Sequence, residues 1–482
     1  MYTHFSGTLR PVFIICLVKY ISFMSVDTVI AGGTVVTASS MFDAAVAIDG
    51  GTIVGVGDED SLAAADARID ATGQLVLPGI VDPHVHVDDH VSIDNYRTVS
   101  SAAALGGVTS FIDFAWQAYE GADSPWEESD SLIAGLKRKR ANQSEVLVDF
   151  GLHGGILREG EDLFAEIPDL IDEGVTSFKM YTAYEFGVSN GYLRRVFDTL
   201  ADHGAVGVVH TEDDSVCQSL AAELQAAGKA APEAYPQSRP DYAEAMAADD
   251  AVRIATEAGA KYYGFHTSCR KSADAIAQFK DDGSHVRAET CTHYTTIEES
   301  AHSELGNLVK IAPPIRAPDD VEAMFEHLRQ GTLSVVSTDH VAQLRSSKEG
   351  QPWWEGPYGA NGIQVSLPVF HDEAINRRGL SYPFLVRVMC ANPAETFGLP
   401  NKGTLDPGTD ADIVLFDPEQ TYTITADDNA SKADYSIYEG REVSGSVSKT
   451  LVRGEVVAED GVVVGDPGHG KYIDRDIPDW DV

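Results

Sequence analysis

Residues 175–213, VTSFKMYTAYEFGVSNGYLRRVFDTLADHGAVGVVHTED, decide the fold. A short apolar run, VTSFKMYTAY, gives way to the helix-like GYLRRVFDTLADHG, which closes on a glycine, a common helix stop. A second apolar run, VGVVH, follows. Strand, helix, strand in that order implies two parallel strands joined by a crossover.

The same grammar extends in both directions. Upstream lie IVDPHVHV (80–87), VTSFIDFA (108–115) and VLVDFGLHG (146–154); downstream lie YYGFHTS (262–268), VRAETCTHY (286–294) and LSVVSTDH (333–340). Helix-like stretches such as YRTVSSAAALGG, LIAGLKRKRAN, DDAVRIATEAGA, SADAIAQFKDDG and VEAMFEHLRQG separate them. Eight such units over roughly 270 residues are what an α/β (β/α)8 TIM barrel requires, and we assign it to residues 79–400. The flanks change character. Residues 24–78 and 401–465 carry short alternating runs broken by Gly and Asp turns, the pattern of antiparallel strands. Together they predict one small β-sandwich built from both chain ends. Residues 466–482 read as a tail. Residues 1–23 read as a disordered extension or an over-called start before Met24: the apolar run PVFIICLV is too short to span a bilayer, Lys19 interrupts it, and no convincing cleavage site follows.

Asp and Glu number 75 against 35 Lys and Arg, a formal net charge of −40. That balance argues against nucleic acid or an anionic membrane as partner, since both attract basic surfaces. The acid is spread along the chain, with no acidic tail. At about 1 M salt the screening length falls to roughly 3 Å and most self-repulsion disappears, so the composition predicts a cytoplasmic protein of a halophilic organism. The five cysteines, Cys16, Cys217, Cys269, Cys291 and Cys390, form no CxxC pair and predict no disulfide framework. Cys269 and Cys291 lie beside the motifs below but read as buried structural thiols.

The chemistry-bearing residues cluster at the ends of the apolar runs, and in such barrels the C-terminal strand ends form the active-site mouth. His84 and His86 are two apart on a presumed strand, so both imidazoles share a face and can share one divalent ion. His210 ends VGVVH and His266 ends YYGFH. Singly each could be a buried structural histidine; four at the strand ends of one barrel argue for a metal centre. His293 and His340 rank behind them as substrate-facing or structural, and His153 behind those. Lys179 is the oddity, because a cation ending a buried strand is costly unless paired or modified. A salt bridge to Asp339 or a nearby Glu would satisfy it. So would loss of its proton and reaction with carbon dioxide, giving a carbamate whose two oxygens can bridge two metal ions. Asp339, in SVVSTDH, can touch a metal and take the proton of a bridging water. The Tyr184 phenol can donate to a developing oxyanion, or simply pack.

The stretches LPGIVDPHVHVD, GGVTSFIDF, SFKMYTAY, VVHTED, GFHTS, ETCTHY, APPIR, STDH, NPAETFGL, GTLDPGTDADIVLFDP and YEGREVSGSVSKTLVRGEVV resemble the cyclic-amide hydrolases of the amidohydrolase superfamily, above all the dihydropyrimidinase and hydantoinase family. The resemblance as a whole extends from about residue 27 to 473. The resemblance implies two divalent ions, zinc by expectation. His84 and His86 would bind the more buried ion and His210 and His266 the other. N6-carboxylated Lys179 would bridge them, and Asp339 would complete the first site. Two such ions lower the pKa of a shared water, so hydroxide exists at neutral pH. It would attack a ring carbonyl while Tyr184 stabilises the tetrahedral species. Asp339 would accept a proton and return it to the leaving nitrogen, opening the ring to an N-carbamoyl amino acid. The resemblance also suggests a homotetramer or dimer.

Substrate contacts are expected at Ala312, Tyr358 and Asn361. Ala312 replaces the serine the family often carries before its Pro-Pro pair, and Trp353, Trp354 and Tyr358 lie in a loop that could cover the pocket. The segment NGIQVSLPV (361–369) looks more like allantoinase, whereas Tyr184 favours dihydropyrimidinase; dihydroorotase fits less well, because the loop VDDHVS lacks its usual arginine. An allantoinase or other ureide hydrolase, a one-metal deaminase-type hydrolase and a non-catalytic scaffold are the alternatives. The scaffold fits least, since every expected ligand is present.

Overall fold

Ser177–Tyr181, the strand that carries Lys179, is buried at all five positions. It pairs in parallel with Val206–His210, matching Lys179 to Val208 and Tyr181 to His210. The crossover helix Asn190–His203 starts on Ser189, whose side chain accepts from the Tyr192 amide, and stops at Gly204 in the left-handed region (φ 68°). Its buried face, Tyr192, Leu193, Val196, Phe197 and Leu200, follows the three-to-four spacing of an amphipathic helix laid against a sheet.

A computed structural model describes residues 25–117, 131–281 and 285–480, so the 1–23 extension falls outside it. The strand–helix–strand unit repeats around a barrel of eight parallel strands: Ile80–Asp82, Val108–Trp116, Asp149–Gly155, Ser177–Tyr181, Val206–His210, Lys261–Gly264, Val286–Cys291 and Val335–Ser337. Each pairs with the next in sequence, and each coincides with one of the eight apolar runs. The first and last meet just past their ends, where Val85 bridges His340 in parallel and the His86 amide donates to the His340 carbonyl at 2.9 Å. This seam sets the first histidine pair beside Asp339.

Both chain ends build the second body. Leu75–Pro78 pairs antiparallel with Ile413–Thr423 inside a seven-stranded sheet, and a four-stranded sheet from residues 26–70 packs on it. The core between the sheets includes Ile30, Val46, Ile48, Val76, Ile413 and Leu451. Residues 466–480, expected from the sequence to form a tail, are instead part of the barrel floor. The Ile473 amide donates to the Phe150 carbonyl (2.7 Å), and Arg475 is buried with its guanidinium on Ser177 Oγ (2.9 Å) and the Leu152 carbonyl. A backbone ladder and one buried arginine make these contacts, and neither leaves a mark in hydropathy.

Candidate active site

At the mouth of the barrel, His84 Nε2 lies 3.1 Å and His86 Nε2 3.3 Å from the same oxygen, Asp339 Oδ1. The three side chains are buried, and one ligand atom from each lies within 4.8 Å of the others. Across the cavity His210 Nδ1 faces His266 Nε2 at 2.8 Å. These four nitrogens and one oxygen point inward, while other groups hold most of the remaining ring nitrogens. His84 Nδ1 is fixed by Glu289 Oε1 (2.7 Å), His86 Nδ1 by Asp89 Oδ2 (3.3 Å) and His210 Nε2 by Glu212 Oε2 (2.9 Å). His266 Nδ1 has no partner among the described residues. A carboxylate on the outer nitrogen orients an imidazole and sharpens its inner lone pair for a metal.

Electrostatics favour positive charge at His86. Burial opposes ionisation of His86, yet hydrogen bonds with Asp339 and Asp89 overcome it and raise the group to about 9. Burial also disfavours the charged form of Asp339, but the two histidines hold its carboxyl well below the usual range. The second pair is neutral: burial lowers His210 to about 4 despite Glu212, and pushes His266 well down. Imidazole nitrogens and an anionic carboxylate oxygen are the donor set a divalent ion of the zinc type takes, and a cation bound there would displace the proton that His86 otherwise holds, so the residues present fit such a metal.

Lys179 shares this cavity. It is buried, and among the described residues its Nζ forms no hydrogen bond or ion pair; it sits 4.0 Å from the Phe265 ring centre and 4.7 Å from that of Tyr181. Neither a salt bridge to Asp339 nor one to a nearby Glu is formed among the described residues. Burial lowers its ammonium to about 7, with Asp339 and Glu289 opposing the shift. Such an amine is substantially neutral, hence nucleophilic, near physiological pH.

The cavity, about 250 Å³, brings together nearly every residue singled out from sequence: His84, His86, Lys179, Tyr184, His210, His266, Asp339, Ala312 and Tyr358 all line it. Asn361 does not. Its Nδ2 donates to the Tyr435 carbonyl (2.8 Å), and it lines a larger cavity between barrel and C-terminal sheet. Trp353 is tied to the Lys229 carbonyl and packs in a separate cluster. His340 and His153 are structural: the first bonds Asp94 and the Gly362 amide, the second Ser177 and the Pro83 carbonyl. Burial raises the Cys269 and Cys291 thiols well above the ordinary range, in keeping with structural roles. Tyr184, His266 and Asp339 adopt positive φ (69°, 37° and 46°). Non-glycine residues rarely sit there, and such strain concentrates at functional sites.

Glu289, Asp89 and Glu212 were not singled out by residue pattern. Two have a readable signal, since Glu212 follows His210 by two residues and Asp89 follows His86 by three. Glu289 reaches His84 across 205 residues, which only the closed barrel makes visible.

The Amidohydrolase family pattern matches residues 75–457. The chain belongs to the amidohydrolase family. Within it, the chain is 33% identical over 470 residues to a D-hydantoinase of Streptomyces coelicolor (94% of this chain, 98% of the relative). It is 31% identical over 461 residues to an L-hydantoinase of Paenarthrobacter aurescens (93% and 98%). An allantoinase of Salmonella newport is 30% identical over 467 residues (93% and 99%). The crystal structure of a dihydropyrimidinase from Brevibacillus agri superposes with a TM-score of 0.88 at 31% identity, covering 94% of this chain and 99% of that one.

Proposed function

We propose that this chain, a hydrolase acting on cyclic amides, opens a dihydropyrimidine or hydantoin ring to an N-carbamoyl amino acid at a two-metal centre bridged by carboxylated Lys179. The observation that carries the reading is the inward convergence of His84, His86 and Asp339 opposite His210 and His266, with the Lys179 amine, unpaired among the described residues, in the same cavity. His84, His86 and Asp339 would hold one divalent ion, His210 and His266 the other. Bound there, the ions would supply an activated water and polarise a carbonyl.

The remaining work falls to the chain's own groups. The neutral Lys179 amine adds to carbon dioxide and releases one proton, which leaves an anionic carbamate in its place. Asp339, kept ionised, accepts a proton from the attacking water and passes it to the leaving nitrogen. Burial holds the Tyr184 phenol well above its ordinary pKa, so it stays a hydrogen-bond donor for the oxyanion. Val91, Trp116, Leu157, Phe186 and Val341 make the rest of the wall mostly apolar, which suits a hydrocarbon ring substituent better than the ureido group of allantoin.

Elemental analysis and turnover test this together. We expect two metals per chain, and cleavage of dihydrouracil or a 5-substituted hydantoin ahead of allantoin. One metal per chain, or allantoin as the best substrate, defeats the reading. Zinc is the expected ion, although a His and carboxylate set also accepts manganese or cobalt. The net charge of −40 supports a salt-rich cytoplasm as the setting; activity that is indifferent to salt between dilute buffer and molar KCl would refute that. A homotetramer or dimer is expected by light scattering.

A further inference from the structure

Arg239 lies outside every sequence motif of the site, yet it touches three parts of it. It is buried, and its Nε donates to Glu212 at 2.9 and 3.1 Å while Nη2 donates to Glu212 Oε2. Glu212 is the carboxylate on His210 Nε2. The guanidinium carbon also lies 4.9 Å from the Tyr184 ring centre and 5.5 Å from that of Tyr358, within cation–π range of both. The two rings stand 6.0 Å apart on the cavity wall. Behind Arg239, its own carbonyl accepts from Arg316 Nη1 (2.6 Å). Arg316 in turn bonds Glu244 (2.8 Å) and Ser268, two residues past His266. A buried arginine–glutamate pair stabilises little compared with apolar packing of the same shape, so its placement calls for another explanation.

We propose that Arg239 is a positioning residue that sets His210 and Tyr184 together, so that the ligand geometry of the second ion and the oxyanion donor are fixed by one guanidinium. Its N–H edge locks Glu212, and through it the ring of His210. Its cationic carbon anchors the two tyrosine rings. A lysine has charge but no planar fork, and cannot do both. The inference rests on the proposed role of His210 and His266 as ligands.

The test is Arg239→Lys, measured as holoenzyme and as metal-depleted protein. We expect near-native circular dichroism, an undisturbed first metal, and roughly 10- to 100-fold weaker binding of the second, the usual scale for loss of a ligand's outer partner. We also expect Tyr184→Phe to cost clearly less in kcat on the Arg239→Lys background than in the wild type, because the two act as a unit. Native affinity for the second metal together with additive kcat losses would overturn the proposal. Glu212→Gln leaves the arginine in place and probes the same link independently, even if Arg239→Lys does not fold: unchanged second-metal affinity there also overturns it. Two metals in the wild type with unaffected variants defeat this inference alone; a single metal in the wild type defeats the two-metal reading first.

Discussion

At the barrel floor, Lys402 Nζ sits among Asp149, Asp410 and Asp412 at 2.6, 2.8 and 2.9 Å. At the mouth, Lys179 is as deeply buried and meets aromatic rings. Burial penalises the charge of both. Three carboxylates more than offset that penalty for Lys402 and raise its pKa, whereas Lys179 drops to about 7. The floor is where barrel, chain-end sheets and the last segment meet. Asp149 also receives Arg453 and the Lys471 amide, and Asp412 the Arg453 amide. Charge complemented on every side there acts as a fastener. Charge left uncomplemented at the mouth leaves an amine free to react.

Paired substitutions break this contrast most visibly. Lys179→Ala should fold well, because it deletes an unsatisfied buried amine, yet lose metal and on the order of 10³-fold in kcat/KM, the upper scale for a lost electrostatic group. Metal content and turnover of the purified variant check this; full metal and activity would rule out the carbamate. Lys402→Met should do the reverse. It leaves three carboxylates facing one another and should cost about 3–5 kcal/mol of stability, read as a lower denaturant midpoint, while any protein that remains folded keeps the metal content of the unsubstituted enzyme. An unchanged midpoint would show that the floor network is not a fastener.

Tyr184→Phe sharpens the mouth side alone. It removes one hydroxyl from a donor held at positive φ, so kcat should fall about 10²-fold with native metal content. If KM rises instead with kcat preserved, the phenol binds the ground state and has no special role in the transition state.

Much of this contrast is visible in the unfolded chain. A lysine in VTSFKMYTAY is conspicuous because the residues around it are apolar, and the four histidines and Asp339 end apolar runs in the same way. Lys402, in PNKGTLDPGTDAD, reads as an ordinary loop cation, because its partners come from a barrel strand and from residues eight and ten positions on. Asn361 lies outside the cavity for a related reason: its amide nitrogen donates to the Tyr435 carbonyl, 74 residues away. The positions of catalytic types follow from strand ends, which local sequence encodes. Their supporting partners follow from closure of the barrel and docking of the chain ends, which it does not.

The smallest effect tests the titration of Lys179 itself. Its pKa is lowered from 10.5 to about 7, so the neutral amine dominates above pH 7 and the ammonium below it. Only the neutral form adds to carbon dioxide. Metal-depleted, decarboxylated protein given zinc and a fixed concentration of dissolved CO2 should therefore regain activity at a rate that levels off above about pH 7.5. Below pH 7 the rate should fall roughly tenfold per unit. Holding dissolved CO2 constant matters, because acid otherwise raises it and masks the slope. The direction distinguishes the two lysines. An ammonium braced by carboxylates, as at the floor, would keep recovery rising tenfold per unit up to pH 9 and beyond. A plateau near neutrality is what an amine buried among aromatic rings predicts, and a continuing rise would place Lys179 in the same class as Lys402.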